Sequence, residues 1–227
     1  MIFITGDVHG TKDIVKLGSP YLKNSTRKDV LLICGDAGIL FDPSETESMI
    51  NLYSYLPYTI AFVDGNHDNF DLINEYDVEE WNGGYIHRIS DNIMHLMRGQ
   101  IFEIEGKSFF TFGGGLSYDK ERRTPGLDWW PQEIPDEDEF REGLRNLRRI
   151  GNKVDYMITH DCPTSMLIEM SKHSRKLQTY GIKECEVNNM LEEIKDKIEF
   201  KRWYFGHYHA DVSIDNYRCI FNEIVKI

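Results

Sequence analysis

The chain lacks an excess of positive charge: 26 Lys and Arg stand against 38 Asp and Glu, a formal charge of −12. No basic stripe is available for sequence-independent grip on a polyanion, so generic nucleic-acid binding is not expected. A phosphorylated substrate would need local positive charge, which bound metal supplies. Cysteine is scarce as well: Cys34, Cys162, Cys185 and Cys219 are far apart, with no C-x-x-C pair and no disulfide framework. A reducing compartment follows as the simpler reading. No apolar run approaches the length of a membrane span, and Met1–Thr5 is too short for a signal peptide and has no basic flank. A cytoplasmic protein without a membrane partner is expected. Internal repeats, low-complexity tracts and linkers are missing too.

What is present is a chain of 227 residues, 41% hydrophobic, enough for one substantial core, so residues 1–227 read as one domain. Short apolar runs at Ile2–Thr5, Val30–Cys34 and Thr59–Val63 read as buried strands. Between them, Lys12–Leu22 and Ser44–Leu56 have helical length and mixed polarity, which predicts β-α-β-α-β with parallel strands. Four short runs follow, Tyr85–Ile89, Ile93–Met97, Ile101–Glu105 and Ser108–Phe112, separated by turn residues and expected as antiparallel hairpins. From Gly113 to about Pro135 the chain is irregular and carries Trp129-Trp130, and an acidic helix is expected from Asp136 to Ile150. Residues 113–150 thus read as a loop and helix insertion. Strands return at Tyr156–Thr159, Trp203–Phe205, Val212–Ile214 and Cys219–Phe221, with a helix over Glu186–Ile198.

Chemistry-bearing residues cluster just beyond strand ends. Each early strand runs into glycine and then a metal-capable side chain: Gly6-Asp7-Val8-His9, Gly35-Asp36, and Gly65-Asn66-His67-Asp68. Two later strands end in Thr159-His160 and Gly206-His207-Tyr208-His209. Sites in open α/β sheets form where the carboxyl ends of parallel strands meet. Asp7, His9, Asp36, Asn66, His160, His207 and His209 are therefore candidate ligands, more than one four-coordinate ion takes from protein. If one carboxylate bridges, two ions with four ligands each use them all, and paired ions activate water and stabilise an in-line phosphoryl displacement. His67 is left over as a general acid. Imidazole, carboxylate and amide oxygen without thiolate favour Mn, Fe or Zn.

With these blocks the chain resembles the calcineurin-like metallophosphoesterase superfamily, whose ordered signature is G-D-x-H, G-D, G-N-H-D/E, a strand-end His and G-H-x-H. The resemblance implies an α/β fold, a four-layer αββα sandwich of two mixed β-sheets flanked by helices. It implies Asp7, His9, Asp36 and His209 on one ion and Asp36, Asn66, His160 and His207 on the other, with His67 facing substrate. Asp36 is followed by Ala37-Gly38-Ile39-Leu40 rather than by the further Asp and Arg of the Ser/Thr protein phosphatases. The pattern around Gly113–Trp130 is closer to bacterial and phage members. Hydrolysis of a small phosphomonoester or phosphodiester, with a nucleotide as the leading substrate, is expected; a protein phosphatase is the alternative and a non-catalytic metal-binding scaffold a more distant one.

Around the expected site, Arg122 and Arg123 are candidates to clamp phosphate, and Trp129 or Trp130 to form a stacking wall. Anchoring of the loop by the tryptophans and ion pairing by the arginines explain the same residues equally well. His87, His95 and His173 have no accompanying ligand motif and read as packing or surface residues.

Overall fold

The computed structural model describes residues 1–173 and 183–227. Two mixed sheets dominate. The first has seven strands in the order β13-β1-β2-β3-β6-β5-β4. These are β1 (Ile2–Thr5), β2 (Val30–Ile33), β3 (Thr59–Phe62), β4 (Val78–Trp81), β5 (Gly84–Ser90), β6 (Ile93–Leu96) and β13 (Val225–Lys226). The second has six, in the order β11-β12-β10-β9-β8-β7. Its strands are β7 (Gln100–Ile104), β8 (Lys107–Phe112), β9 (Lys153–Thr159), β10 (Glu199–Phe205), β11 (Val212–Ile214) and β12 (Tyr217–Cys219). Parallel pairing links β1, β2, β3 and β6 in one sheet and β8, β9, β10 and β12 in the other.

Side-chain alternation explains why these strands read as unbroken apolar runs. Ile2, Ile4, Val30 and Leu32 pack between the sheets with Phe102, Phe109, Ile158 and Tyr204. Their neighbours Phe3, Leu31 and Ile33 point to the opposite face, onto Leu17, onto Met49 and Tyr53 from α1 (Thr46–Ser54) and onto Ile73 from α2 (Phe70–Ile73). On the far side, Phe110, Met157 and Trp203 meet Phe140, Leu167 and Leu191 from α3 (Glu137–Arg149), α4 (Thr164–His173) and α5 (Glu186–Lys195). Strands buried on both faces have no polar side to show. The layers are helix, sheet, sheet and helix, the expected sandwich.

Three local expectations need correction. Lys12–Leu22 is not a helix but three 3-10 turns, Gly10–Lys12, Ile14–Gly18 and Pro20–Leu22. Pro20 forces Ser19 into extended backbone (ψ 140°), which stops propagation. The middle strands are not a plain run of hairpins: β5–β6 and β7–β8 are antiparallel, but β6 lies parallel to β3 and the chain then crosses to the other sheet. Strand β4 was not expected; it is an exposed edge reached through the two-residue turn Asn82-Gly83, both at positive φ.

The acidic helix is α3, opened by Asp136, whose side chain accepts from Asp138 N and Glu139 N in a capping box. In the polar run 171–176, His173 ends α4 exposed, 3.4 Å from Glu169, and 174–176 lie outside the described residues. No helix among the described residues is long and apolar enough to cross a membrane.

Candidate metal centre

Strands β1, β2 and β3 of one sheet and β9 and β10 of the other all end at the same edge of the sandwich. The backbone N–H groups of Val8 and His9 donate to Asp36 O at 3.0 and 2.9 Å, joining the first two blocks directly. Gly65 and Gly206 supply the necessary room: a Cβ on either would lie 2.1 Å from Asp36 Oδ1 and 2.2 Å from Asp7 Oδ1. Four of the candidate ligands hold left-handed backbone, His9 (φ 47°), Asp36 (50°), His207 (64°) and His209 (47°). Such conformations cost free energy in non-glycine residues and persist where surrounding structure over-determines them.

Donor atoms face one another in two groups. Asp7 Oδ2 lies 3.0 Å from His209 Nε2 and 3.9 Å from His9 Nε2. In the second group, Asn66 Oδ1 lies 3.0 Å from His160 Nε2 and 2.9 Å from His207 Nδ1. Asp36 Oδ2 stands between them, 3.5 Å from His9 Nε2 and 3.6 Å from His160 Nε2. Asp7 also lies near both groups, since its oxygen falls within 4.8 Å of donors on His9 and His209 and of donors on Asp36 and His160. Each carboxylate spends Oδ1 on a backbone N–H at 2.8 Å, Asp7 on that of His207 and Asp36 on that of His67, which leaves Oδ2 of each to face the donors.

These residues fit bound cations. His207 Nε2 is buried without a hydrogen-bond partner, and Asp7 Oδ2, although 3.0 Å from His209 Nε2, is not in hydrogen-bond geometry with it, a costly condition for buried polar atoms that no ion or proton satisfies. The carboxylates call for positive charge. Burial opposes a charged His9, yet Asp36 and Asp7 push its pKa up to about 9. Burial, the leading influence on His207, instead lowers it to about 4 and leaves its nitrogens uncharged for ligation. In Asp7 and Asp36 burial works against charge, but His209 for the first and His160 for the second, with their neighbours, hold both pKa values below the usual carboxylate range.

Outer partners orient the donors, a recurrent feature of metal-ligating histidines. His160 Nδ1–H donates to Cys34 O at 2.8 Å, which turns Nε2 towards Asp36 and Asn66. His9 Nδ1 is 2.9 Å from Asp13 Oδ2, four residues on. Asn66 Nδ2 donates to Ser117 Oγ at 3.1 Å, so its oxygen is the atom that faces His160 and His207. Ser117 is fixed in turn, its N–H donating to Glu133 Oε1 at 3.1 Å. Asp68 Oδ2 accepts from Gly65 N and closes the turn that carries Asn66 and His67; burial, then the nearby Asp36, raises its pKa to about 8.

His67 belongs to neither donor group. It borders a cavity of about 640 Å³ also lined by His9, Asp36, His209, Phe41 and Arg123. Arg123 Nη1 lies 3.1 Å from His67 Nδ1, while Arg123 itself is held by Asp119 Oδ1 at 2.7 Å and Asp128 O at 2.9 Å. A guanidinium only donates, so Nδ1 is the acceptor and the proton of a neutral His67 sits on Nε2. Burial first, then Arg123 against the pull of Asp36, lowers the pKa of His67.

The candidates for substrate contact separate. Arg123 lines the cavity; Arg122 is exposed and does not. Trp130 is 1% exposed, donates Nε1–H to Asp71 Oδ2 at 3.0 Å and meets Phe41 edge-on, a placement that suits the loop-anchoring alternative rather than the stacking wall. Trp129 is half-buried beneath Lys120 Nζ, 5.8 Å from its ring, and is not part of the cavity lining. His87 and His95 are buried and paired with each other, Nδ1 to Nδ1 at 3.0 Å, and His95 Nε2 reaches Asp64 Oδ1 at 3.1 Å. Sequence reasoning assigned no role to Asp13, Ser117 or Phe41; only Asp13, at i+4 from His9, has a spacing that points to its partner.

Comparison with solved structures finds a phosphopantetheinyl hydrolase (PptH) from Mycobacterium tuberculosis, 14% identical, with a TM-score of 0.42 over 97% of this chain and 87% of that one. Comparison with curated proteins returns no match. A family model described as calcineurin-like phosphoesterase matches residues 1–211, spanning every block of the site, and the chain belongs to the calcineurin-like phosphoesterase family.

Proposed function

We propose that the chain, acting as one domain, hydrolyses a small phosphomonoester or phosphodiester, with a nucleotide as the leading candidate. Asp7, His9, Asp36 and His209 would hold one ion and Asp36, Asn66, His160 and His207 a second, with Mn, Fe or Zn fitting the donor set. Such a pair, when bound, supplies Lewis acidity towards phosphoryl oxygens and lowers the pKa of water enough to provide a nucleophile near neutrality. The observation that carries this reading is the convergence of five strand-end blocks on two facing donor groups, with Asp36 Oδ2 at 3.5 and 3.6 Å between them.

The protein's own contribution is placement. His67 offers Nε2–H towards the leaving oxygen from outside both donor groups, the position expected of its acid role. Arg123 stands beside it at the cavity wall, where a guanidinium suits a phosphoryl oxygen. The contact from Arg123 leaves Nδ1 as the acceptor, so the proton that His67 offers is the one on Nε2.

Metal-stripped protein assayed with aryl phosphomonoesters and phosphodiesters, with Mn, Fe, Zn, Ni or Mg restored singly, tests the activity. Turnover should return with at least one ion. Folded, metal-loaded protein inert towards these and towards nucleotides, cyclic nucleotides and phosphopeptides would overturn the enzyme reading.

A further inference from the structure

Lys16 lies in the 3-10 turn Ile14–Gly18, yet its ammonium reaches behind the candidate centre. Nζ donates to Gly6 O at 3.1 Å, to Phe221 O at 2.7 Å and to Asp7 O. One cation thus serves three backbone carbonyls from two chain segments, one carrying a ligand and the other carrying Phe221. The Phe221 ring stacks on His209, centroids 4.6 Å apart and planes 23° from parallel. Lys16 Nζ is 5.2 Å from that same ring.

The Phe221 segment is gripped from its other side. Asp211 Oδ1 accepts from Phe221 N at 2.8 Å, Asn222 N at 3.1 Å and Glu223 N at 3.3 Å. Thr5 Oγ1, at the end of β1, donates to Glu223 O at 2.9 Å. Gly6 fits so closely here that a Cβ would lie 1.8 Å from Ile220 O. Asp7 and His209 are therefore backed by two segments remote in sequence, and the Lys16 ammonium is what holds the carbonyl faces of those segments together.

We propose that Lys16 is a positioning residue for one ion site, the one formed by Asp7, His9 and His209, and not for the site formed by Asn66, His160 and His207. The proposal rests on the two-ion reading above. The second site meets this segment at one point, the His207 N–H that Asp7 Oδ1 accepts at 2.8 Å, while its other donors have their own supports, Cys34 O behind His160 and Ser117 behind Asn66, and neither of these contacts Lys16. Without the ammonium, three carbonyls converge with no donor among them and repel, so the Asp7 backbone and the Phe221 ring behind His209 separate.

Cobalt binding by metal-stripped full-length protein, followed by equilibrium dialysis and by the visible absorption of the bound ion, tests this without recourse to turnover. Lys16→Met keeps the stem and removes the donors. It should weaken one of two cobalt sites by about ten- to hundredfold, the range for loss of an outer partner, and leave the other unchanged. In a His207→Ala background the remaining site should weaken on adding Lys16→Met; in a His209→Ala background the added change should have no effect. Phe221→Leu, which removes the ring but leaves the ammonium, should weaken the same site and serves if Lys16→Met folds poorly. Unaltered affinities, or equal weakening of both sites, would overturn the assignment. Wild-type protein that binds a single ion overturns the two-ion reading by itself, and unchanged affinity for that ion in Lys16→Met then overturns the role of Lys16 as well.

Discussion

Arg123 Nη1 stands 3.1 Å from Nδ1 of His67, so a cation occupies the side of this imidazole where a carboxylate would raise its basicity. The pair should behave as a unit. His67→Ala should lower kcat by about a hundredfold or more, the usual contribution of a placed proton donor, with metal content nearly intact. Arg123→Ala should cost about tenfold, and the double variant should be little worse than His67→Ala alone, since contacting residues are not additive. Fully additive losses across the cycle would show that the contact is incidental.

Ser117 fixes which end of the Asn66 amide faces His160 and His207. Ser117→Ala frees the amide to rotate and should reduce affinity for one ion by about ten- to hundredfold, with Ser117→Thr retaining most of it. Metal titration of the apo protein reads this directly. Equal affinities in Ser117→Ala and wild type would mean that the amide is held by other groups.

Trp130 is a stability residue. Trp130→Ala should destabilise by about 3–5 kcal/mol, as expected for removing a buried aromatic. Trp130→Phe, which deletes the hydrogen bond to Asp71, should cost less, about 0.5–1.5 kcal/mol for the lost bond, because the Asp71 carboxylate is exposed and takes up water in its place. Chemical denaturation separates the two. Well below the melting temperature both variants should keep KM near wild type, because Trp130 does not line the cavity.

Burial, then His95, lowers the pKa of His87 from 6.5 to about 4. Between those values the unfolded chain takes up a proton that the folded chain refuses, so stability is full above about pH 6.5 and falls as the pH drops towards 4. His87→Gln should flatten this part of the curve of unfolding free energy against pH. An unchanged slope would show that other groups produce it.

Strands were readable because burial on both faces makes them unbroken apolar runs, as at Val30–Ile33. Ligands were readable because each lies just beyond such a run, with Asp7, Asp36, Asn66 and His207 directly after a glycine. Lys12–Leu22 misled because its composition suits a helix while Gly18 and Pro20 break it into 3-10 turns. The edge strand Val78–Trp81 was missed although Asn82-Gly83 is a strong hairpin signal, because an exposed strand has no apolar alternation to display. Contacts such as Ser117 to Asn66, 51 residues apart, or Lys16 to Phe221, 205 apart, leave no spacing to read. Nor does a tryptophan in a polar loop announce which way it turns.

The left-handed backbone at His9, Asp36, His207 and His209 limits how this centre can be redesigned. Histidine and aspartate tolerate that conformation better than most residues, and β-branched ones hardly at all. The same positions thus filter side chains twice, once by what binds a metal and once by what the main chain accepts. Exchanging His209 for a cysteine or a glutamate would carry a conformational penalty before any ion is offered. Altered metal preference is more accessible through the outer partners, whose backbones are not under that constraint.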